Sequence, residues 1–403
     1  MSQSTTALSR RRPPPKRRPL ASKEIWHNVG FRNWTYQAAV VVTVVGLAVY
    51  MIGNTQVAMQ KRGISTGFGF LFEEAGFDIG EALIAFDSTD SFLRAYTAAV
   101  LNTLRVSVLG ILFATLLGVV LGIARLSSNV LIAKLSSVYV EIFRNTPQLV
   151  QIIFWYTIIT QLPAPKQALS IFDWAFLTNR GAILPWPAPH PTYLLTLLAL
   201  LAACIAAVLI VRWADRRRRA TGQRIKVLWP NTALICGVPF LVWFAGGAPS
   251  EIVVPRLQGF NFVGGLAMSP EFLALLLGLS LYIAAFIAEI VRSGIQSVGK
   301  GQIEASRAIG LRPSDTYRSV ILPQALRVIV PPAAAQYVSL VKNSSLGVAI
   351  GYPELFNVNN TIVTLSGHTI EAIAMMMAIY LSISFTIAVI MNLYNRAVQI
   401  KER

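Results

Sequence analysis

"GKGQIEASRAIGLRPSDTYRSVILPQA", Gly299 to Ala325, is a charged, glycine-punctuated stretch in a chain that is otherwise mostly apolar. From Gly301 to Ile309 it offers good helix formers, with Glu304 and Arg307 three apart on one face, and Gly310 stands where a left-handed C-cap stops a helix. Arg312-Pro313-Ser314-Asp315 then supplies turn chemistry. Ser314 is placed to cap a second short helix through Tyr317 to Ile321, and Pro323 to break it. Two short helices on a sharp turn are too ordered for a mere connector. Small Ala305, Ser306 and Ala308 leave one flank shallow, the shape of a helix that lies in a groove of another protein.

The surroundings are those of a membrane protein. Of 403 residues 54% are hydrophobic and 13% charged, whereas a soluble globule of this size carries about a quarter charged. The net charge of +17 comes with no nucleic-acid-binding module, so nucleic acid is not expected as a partner. "SRRRPPPKRRP", Ser9 to Pro19, reads as a disordered cytoplasmic anchor before a first span. Cys204 and Cys236 each sit inside an apolar run as packing residues, and no Cys/His cluster is present to hold a metal. Gly294 to Lys300 fits G-x-x-x-x-G-K, but Gly301 follows where a phosphate loop needs Ser or Thr for Mg²⁺, and no strand precedes it. If ATP drives this protein, another subunit binds it.

A spanning helix needs about 20 predominantly apolar residues. Six clear runs meet that length: 35–53, 98–124, 192–211, 227–246, 270–291 and 371–395. Two more are interrupted, Val138 to Leu162 by Glu141, Arg144 and Pro147, and Val328 to Ile350 by Pro331, Pro332 and Lys342. With the N-terminus inside, the cytoplasmic segments hold 26 Lys and Arg and the opposite side 6. That asymmetry places both termini in the cytoplasm. The first span follows a polar tail without a cleavage-site pattern and is read as a retained helix. Gly299 to Ala325 therefore faces the cytoplasm, and the acidic "FEEAGFDIGEALIAFDSTD", Phe72 to Asp90, faces away from it.

Ionisable groups inside a span cost at least about 2.5 kcal/mol at its centre, so each needs a reason. Glu141 and Arg144, three apart, read either as a structural ion pair or as substrate contacts. Asn145 and Thr146, with Gln148, flank Pro147 and could line a polar cavity where the helix opens. Lys342, Asn343, Ser344 and Ser345 follow Pro331-Pro332, where a kinked helix can turn amides and hydroxyls inward; helix packing by small polar residues explains them equally well. Glu289 and Arg292 are also three apart, and are expected to stabilise the entry to the cytoplasmic loop.

Within that loop, "EASRAIG", nine residues and "VILP" resemble the EAA loop of the integral membrane subunits of ABC importers, E-A-A, three residues, G, nine residues, I-x-L-P. Glu304, Ala305, Gly310, Leu322 and Pro323 match; Ser306 replaces Ala and Val320 replaces Ile. "YVEIFRNTPQLVQIIFWY" (Tyr139 to Tyr156), "AEIVRSGIQSVGKGQ" (Ala288 to Gln302), "ILPQALRVIVPP" (Ile321 to Pro332) and "LVKNSSLGVAIGYPEL" (Leu340 to Leu355) are similar to the polar amino acid permeases of that superfamily. The insertion 163–269 with two further spans, the extra N-terminal helix, and "KNSSL" where relatives commonly carry "KDTSL" resemble the larger permease of general L-amino-acid importers. Asn343 thus stands where many relatives carry an acid.

The resemblance implies an all-α polytopic fold of about eight transmembrane helices, a type I importer permease core with an extra N-terminal helix and a two-helix insertion. Its expected organisation is a basic cytoplasmic tail 1–34, an additional helix and acidic periplasmic segment 35–96, a permease domain 97–395 with core 97–162 and 270–395, and a cytoplasmic tail 396–403. It also implies a heterodimer with a paralogous permease, two copies of an ATPase subunit that binds ATP and Mg²⁺ while this chain holds no cofactor and is no enzyme, and a periplasmic amino acid binding protein. The setting is the bacterial inner membrane, in contact with lipid. In that family the EAA loop docks into a cleft of the ATPase, which gives Glu304 to Pro323 the role of coupler. A self-contained secondary transporter is the alternative; it calls for a midplane carboxylate and an inverted repeat, neither of which stands out. An intramembrane enzyme needs convergent catalytic groups, whereas His27, His190 and His368 fall in tails or outer loops.

Overall fold

A computed structural model describes residues 29–61, 67–222 and 227–398. The proline-rich opening, residues 223–226 of the basic loop and the end of the C-terminal tail lie outside the described residues. The chain divides into two units, one up to Gly67 and one from Phe68 onward. The first contains helix α1 (Val29–Lys61), with no charged residue between Arg32 and Lys61.

The second unit contains, in chain order, α2 (Phe92–Ala124), α3 (Val130–Asn145), α4 (Gln148–Thr160), α5 (Pro191–Thr221), α6 (Leu228–Ala245) and α7 (Pro270–Gln296). It continues with α8 (Lys300–Ala308), α9 (Pro313–Thr316), α10 (Leu322–Asn343), α11 (Leu355–Ser366) and α12 (Thr369–Val398). Six helices among the described residues, α1, α2, α5, α6, α7 and α12, are long and apolar enough to cross a membrane. These are the six clear runs of the sequence.

The two interrupted runs differ in kind. Val138 to Leu162 is two helices, because Pro147 has no amide to donate and pushes Thr146 to extended φ −103°, ψ 138°. In Val328 to Ile350 the helix instead continues through Pro331 and Pro332 to Asn343 and then tightens into 3-10 turns, Ser344–Ile350.

Lipid-immersed helices gain nothing by hiding apolar surface from lipid, so small residues that allow backbone approach hold them together. Helix α7 is the hub, with α2, α4 and α10 packed on it. A Cβ on Gly122 of α2 would stand 2.7 Å from the Ala288 carbonyl oxygen and 2.8 Å from Val291 Cβ; one on Gly118 would stand 2.7 Å from Ile287. Gly278 admits Ile152 of α4, and Gly294 admits Ile329 of α10. The second of these disposes of the G-x-x-x-x-G-K match: Gly294 is a helix-packing position and no strand precedes it.

Away from the loop at 299–325, buried polar bonds join elements distant in sequence. Asn102 Nδ2 donates to the Glu81 and Pro353 carbonyls at 2.7 and 3.0 Å, and the Leu355 amide donates to Thr103 Oγ1 at 3.0 Å. Glu354 caps α11 through the Phe356 and Asn357 amides and accepts from the Tyr380 hydroxyl. Arg105 pairs with Glu81 at 2.5 Å, which ties the acidic segment to α2.

Short strands flank the α5–α6 hairpin among the described residues, in the two segments that the sequence shows only as connections on either side of its two spans. Strands β1 (Leu169–Ile171), β2 (Ala175–Thr178), β3 (Gly181–Leu184) and β4 (Leu266–Met268) form one antiparallel sheet in the order β1-β2-β3-β4. Pairing of Ala182 with Met268 brings the two ends of the segment together. Gly181, at φ +103°, leaves no room for a Cβ beside the Met268 carbonyl oxygen.

Candidate functional site

The loop from Gly299 to Ala325 is a bonded, packed bracket. Helix α8 ends in a Schellman arrangement: the Gly310 amide donates to the Arg307 carbonyl at 2.9 Å, and the Leu311 amide to the Ser306 carbonyl at 3.1 Å. Gly310 takes φ +77°, and nothing lies within 4 Å of where its Cβ would be. Only the backbone conformation restricts that position. Gly310→Asn is therefore expected to keep most activity of the assembled protein, since Asn tolerates the left-handed region, whereas Gly310→Val is expected to lose nearly all of it. Equal activity of the two variants in a transport assay would show that the turn imposes no such demand.

Helical spacing sorts α8 into two faces. Ile303 packs with Val298, Ile321 and Ala325, while Glu304, Ala305, Arg307 and Ala308 are exposed. Ile309, at the tip, is 77% exposed. Ser306 corrects the expectation of a shallow outer flank: it is 3% exposed, with its Oγ 2.7 Å from the Ile303 carbonyl and 3.1 Å from Thr316 Oγ1. It locks α8 to the second half of the loop and does not face outward.

That second half differs from expectation in two places. Arg312 occupies the N-cap position of α9 and Ser314 makes no cap, because Pro313 with its fixed φ takes the first helical turn. Pro323 does not break the chain. Its ring would collide with the carbonyl four residues back, and the helix widens into a π turn, Tyr317–Ile321, in which the Leu322 amide bonds the Tyr317 carbonyl. Pro323 then sits in the first turn of α10, and Leu322 remains 49% exposed.

Where α7 enters the loop, the Glu289 carboxylate joins Arg292 and Arg125, and Arg125 Nε also reaches Ser137 Oγ at 3.3 Å. The pair expected at 289 and 292 is present, and Arg125 extends it to the corner between α2 and α3.

The two interrupted runs meet. Asn343 Nδ2 donates to Gln148 Oε1 at 2.6 Å, joining the end of α10 to the start of α4. Gln151, which the sequence did not single out, donates to the Phe143 carbonyl at 2.9 Å and to Thr146 Oγ1 at 2.7 Å, serving groups freed by the break at Pro147. Asn145 and Thr146 are exposed beside this junction and Asn343 is half-buried, whereas Lys342 is exposed on the side facing α12, where it lines a groove with Ala388, Met391 and Asn392.

Glu141 and Arg144 do not form an ion pair. Glu141 Oε2 accepts from Asn145 Nδ2 at 3.1 Å, and the Arg144 guanidinium lies 5.2 Å over the Phe286 ring. Ser344 is fully buried with its hydroxyl on the Val341 carbonyl, and Ser345 bonds the Lys342 carbonyl. Buried Gln148 Nε2 and Gln151 Oε1 have no hydrogen-bond partner among the described residues.

A family model described as "Binding-protein-dependent transport system inner membrane component" matches residues 230–401. YhdX of Escherichia coli strain K12, provisionally named an amino-acid ABC transporter permease protein, is 47% identical over 93% of this chain and 96% of its own length. AapQ of Rhizobium johnstonii, a general L-amino acid transport system permease protein, is 44% identical over 93% of this chain and 94% of its own length. BztB of Rhodobacter capsulatus, a glutamate/glutamine/aspartate/asparagine transport system permease protein, is 39% identical over 94% of this chain and 96% of its own length.

Proposed function

Because this chain belongs to the family of binding-protein-dependent transport system inner membrane components, as 47% and 44% identity to ABC permeases over 93% of its length shows, we propose that it is a permease subunit of an ATP-driven importer of L-amino acids. The observation that carries this reading is the bracket at 300–323. It exposes Glu304, Ala305, Ala308 and Ile309 on a helix whose inner face is bonded and packed, as a surface that transmits a push requires.

In this reading α8 sits in a cleft of an ATPase subunit, two copies of which bind ATP and Mg²⁺. A paralogous permease completes the pathway, and a periplasmic binding protein delivers the amino acid. The chain lies in the bacterial inner membrane with both termini cytoplasmic, since the basic residues gather on the side of the bracket. Solubilised mildly from its native membrane, it is expected to bring a second permease and an ATPase with it. Recovery of this chain alone, with ATP-independent uptake, contradicts the reading.

The junction of Asn343 with Gln148 is the proposed pathway, with Asn145 and Thr146 at its surface and Lys342 one residue away on the side facing α12. The Gln148 amide can turn to donate Nε2 to a carboxylate, so Asn343→Asp is expected to assemble. Its new charge is expected to shift the ratio of arginine to glutamate uptake by about fivefold or more toward arginine, the effect of about 1 kcal/mol. An unchanged ratio in an assembled variant assigns residue 343 to helix packing.

A further inference from the structure

A cavity of about 620 Å³ opens between the end of α2, the start of α3 and the π turn that follows α9. Ile123, Ile132, Ile295, Ile321 and Leu322 give it apolar walls. Its polar contributors are Ser127, Ser314, Tyr317 and Arg318, and no carboxylate lines it. Arg318 is exposed and makes no ion pair or hydrogen bond with another described residue. The cavity stands at the ends of two apolar spans, α2 and α7.

At that depth acyl chains give way to headgroups, and an occupant must satisfy apolar walls and one uncompensated cation together. A soluble anion leaves the walls wet. The exposed face of α8 that suits a protein partner carries Glu304 and Ala305, neither of which lines this cavity. An anionic phospholipid answers both demands, and the bilayer supplies it at high local concentration. Tyr317, 60% exposed on the lining, is the kind of side chain that settles at headgroup level.

We propose that this cavity binds an anionic phospholipid, with an acyl chain against Ile123, Ile132, Ile295 and Leu322 and its phosphate on Arg318. The bound lipid fills the space between the α2–α3 corner and the second half of the bracket, so it supports the π turn from the membrane side. The site depends on the spans and not on which solute the protein moves.

Native mass spectrometry of the purified chain, titrated with phosphatidylglycerol or phosphatidylcholine of identical acyl chains, tests this. Wild type is expected to retain phosphatidylglycerol about fivefold better, the factor set by one basic residue beside an anionic lipid. Arg318→Lys keeps that preference and Arg318→Glu abolishes it, while Ile132→Trp fills the cavity and lowers retention of both lipids. Should Ile132→Trp fail to fold, the Lys and Glu variants still decide. Equal retention of the two lipids by wild type, or an undiminished preference in Arg318→Glu, overturns the proposal.

Discussion

Glu304→Lys is expected to reduce uptake to background while the chain inserts, accumulates and melts as wild type does. Glu304 is exposed and bonds no other described residue, so the chain's own stability does not depend on its charge. In the proposed assembly the cost falls on the contact with the ATPase. Losing a charged partner at the centre of an interface costs about 2–5 kcal/mol, and opposing like charges adds to it. Uptake of a labelled amino acid by cells expressing the complete complex, alongside recovery of the ATPase with the variant, measures both halves. Normal uptake with normal ATPase recovery contradicts the assignment of this helix as the coupler.

Gly122→Leu is expected to prevent accumulation of folded protein. Its first added carbon meets the Ala288 carbonyl oxygen at 2.7 Å, an atom of helix backbone that can yield only if α2 and α7 separate. Overpacking a core with room to adjust costs about 1–3 kcal/mol; here the adjustment needed is the separation of the two helices that organise the core. Gly110→Ala is the matched control, since its Cβ would stand 3.3 Å from a Leu340 methyl that can rotate. Melting of the detergent-solubilised variants separates them: Gly110→Ala near wild type, Gly122→Leu absent or far lower. Similar melting for both would mean that α2 and α7 do not rely on the close approach at Gly122.

The apolar runs, the helix before Gly310 and the left-handed turn at that glycine were legible because each rests on local chemistry. What escaped depends on contacts between distant residues. Ser306 lies among small residues that mark a shallow flank, yet Thr316 across the turn draws it inward. Arg144 has Glu141 at helical spacing, but Phe286 of another helix takes the guanidinium and Asn145 takes the carboxylate. Gln151 looks like any polar residue in a span until the break at Pro147 frees the groups it serves. Pro323 signals a break, and the chain absorbs it by widening one turn. The strands at 169–187 and 252–268 are two to four residues long, too short for an alternating pattern to show. The bond from Asn343 to Gln148 spans 195 positions, and no periodicity reports it.

The central claim is that ATP hydrolysed elsewhere reaches this chain through α8. A photo-cross-linking amino acid at position 305, on the exposed face beside Glu304, tests it in the intact complex. The account predicts a single major adduct with the ATPase subunit, formed in membranes and lost in Glu304→Lys. Adducts only with lipid or with the permeases, while uptake continues at the wild-type rate, contradict it.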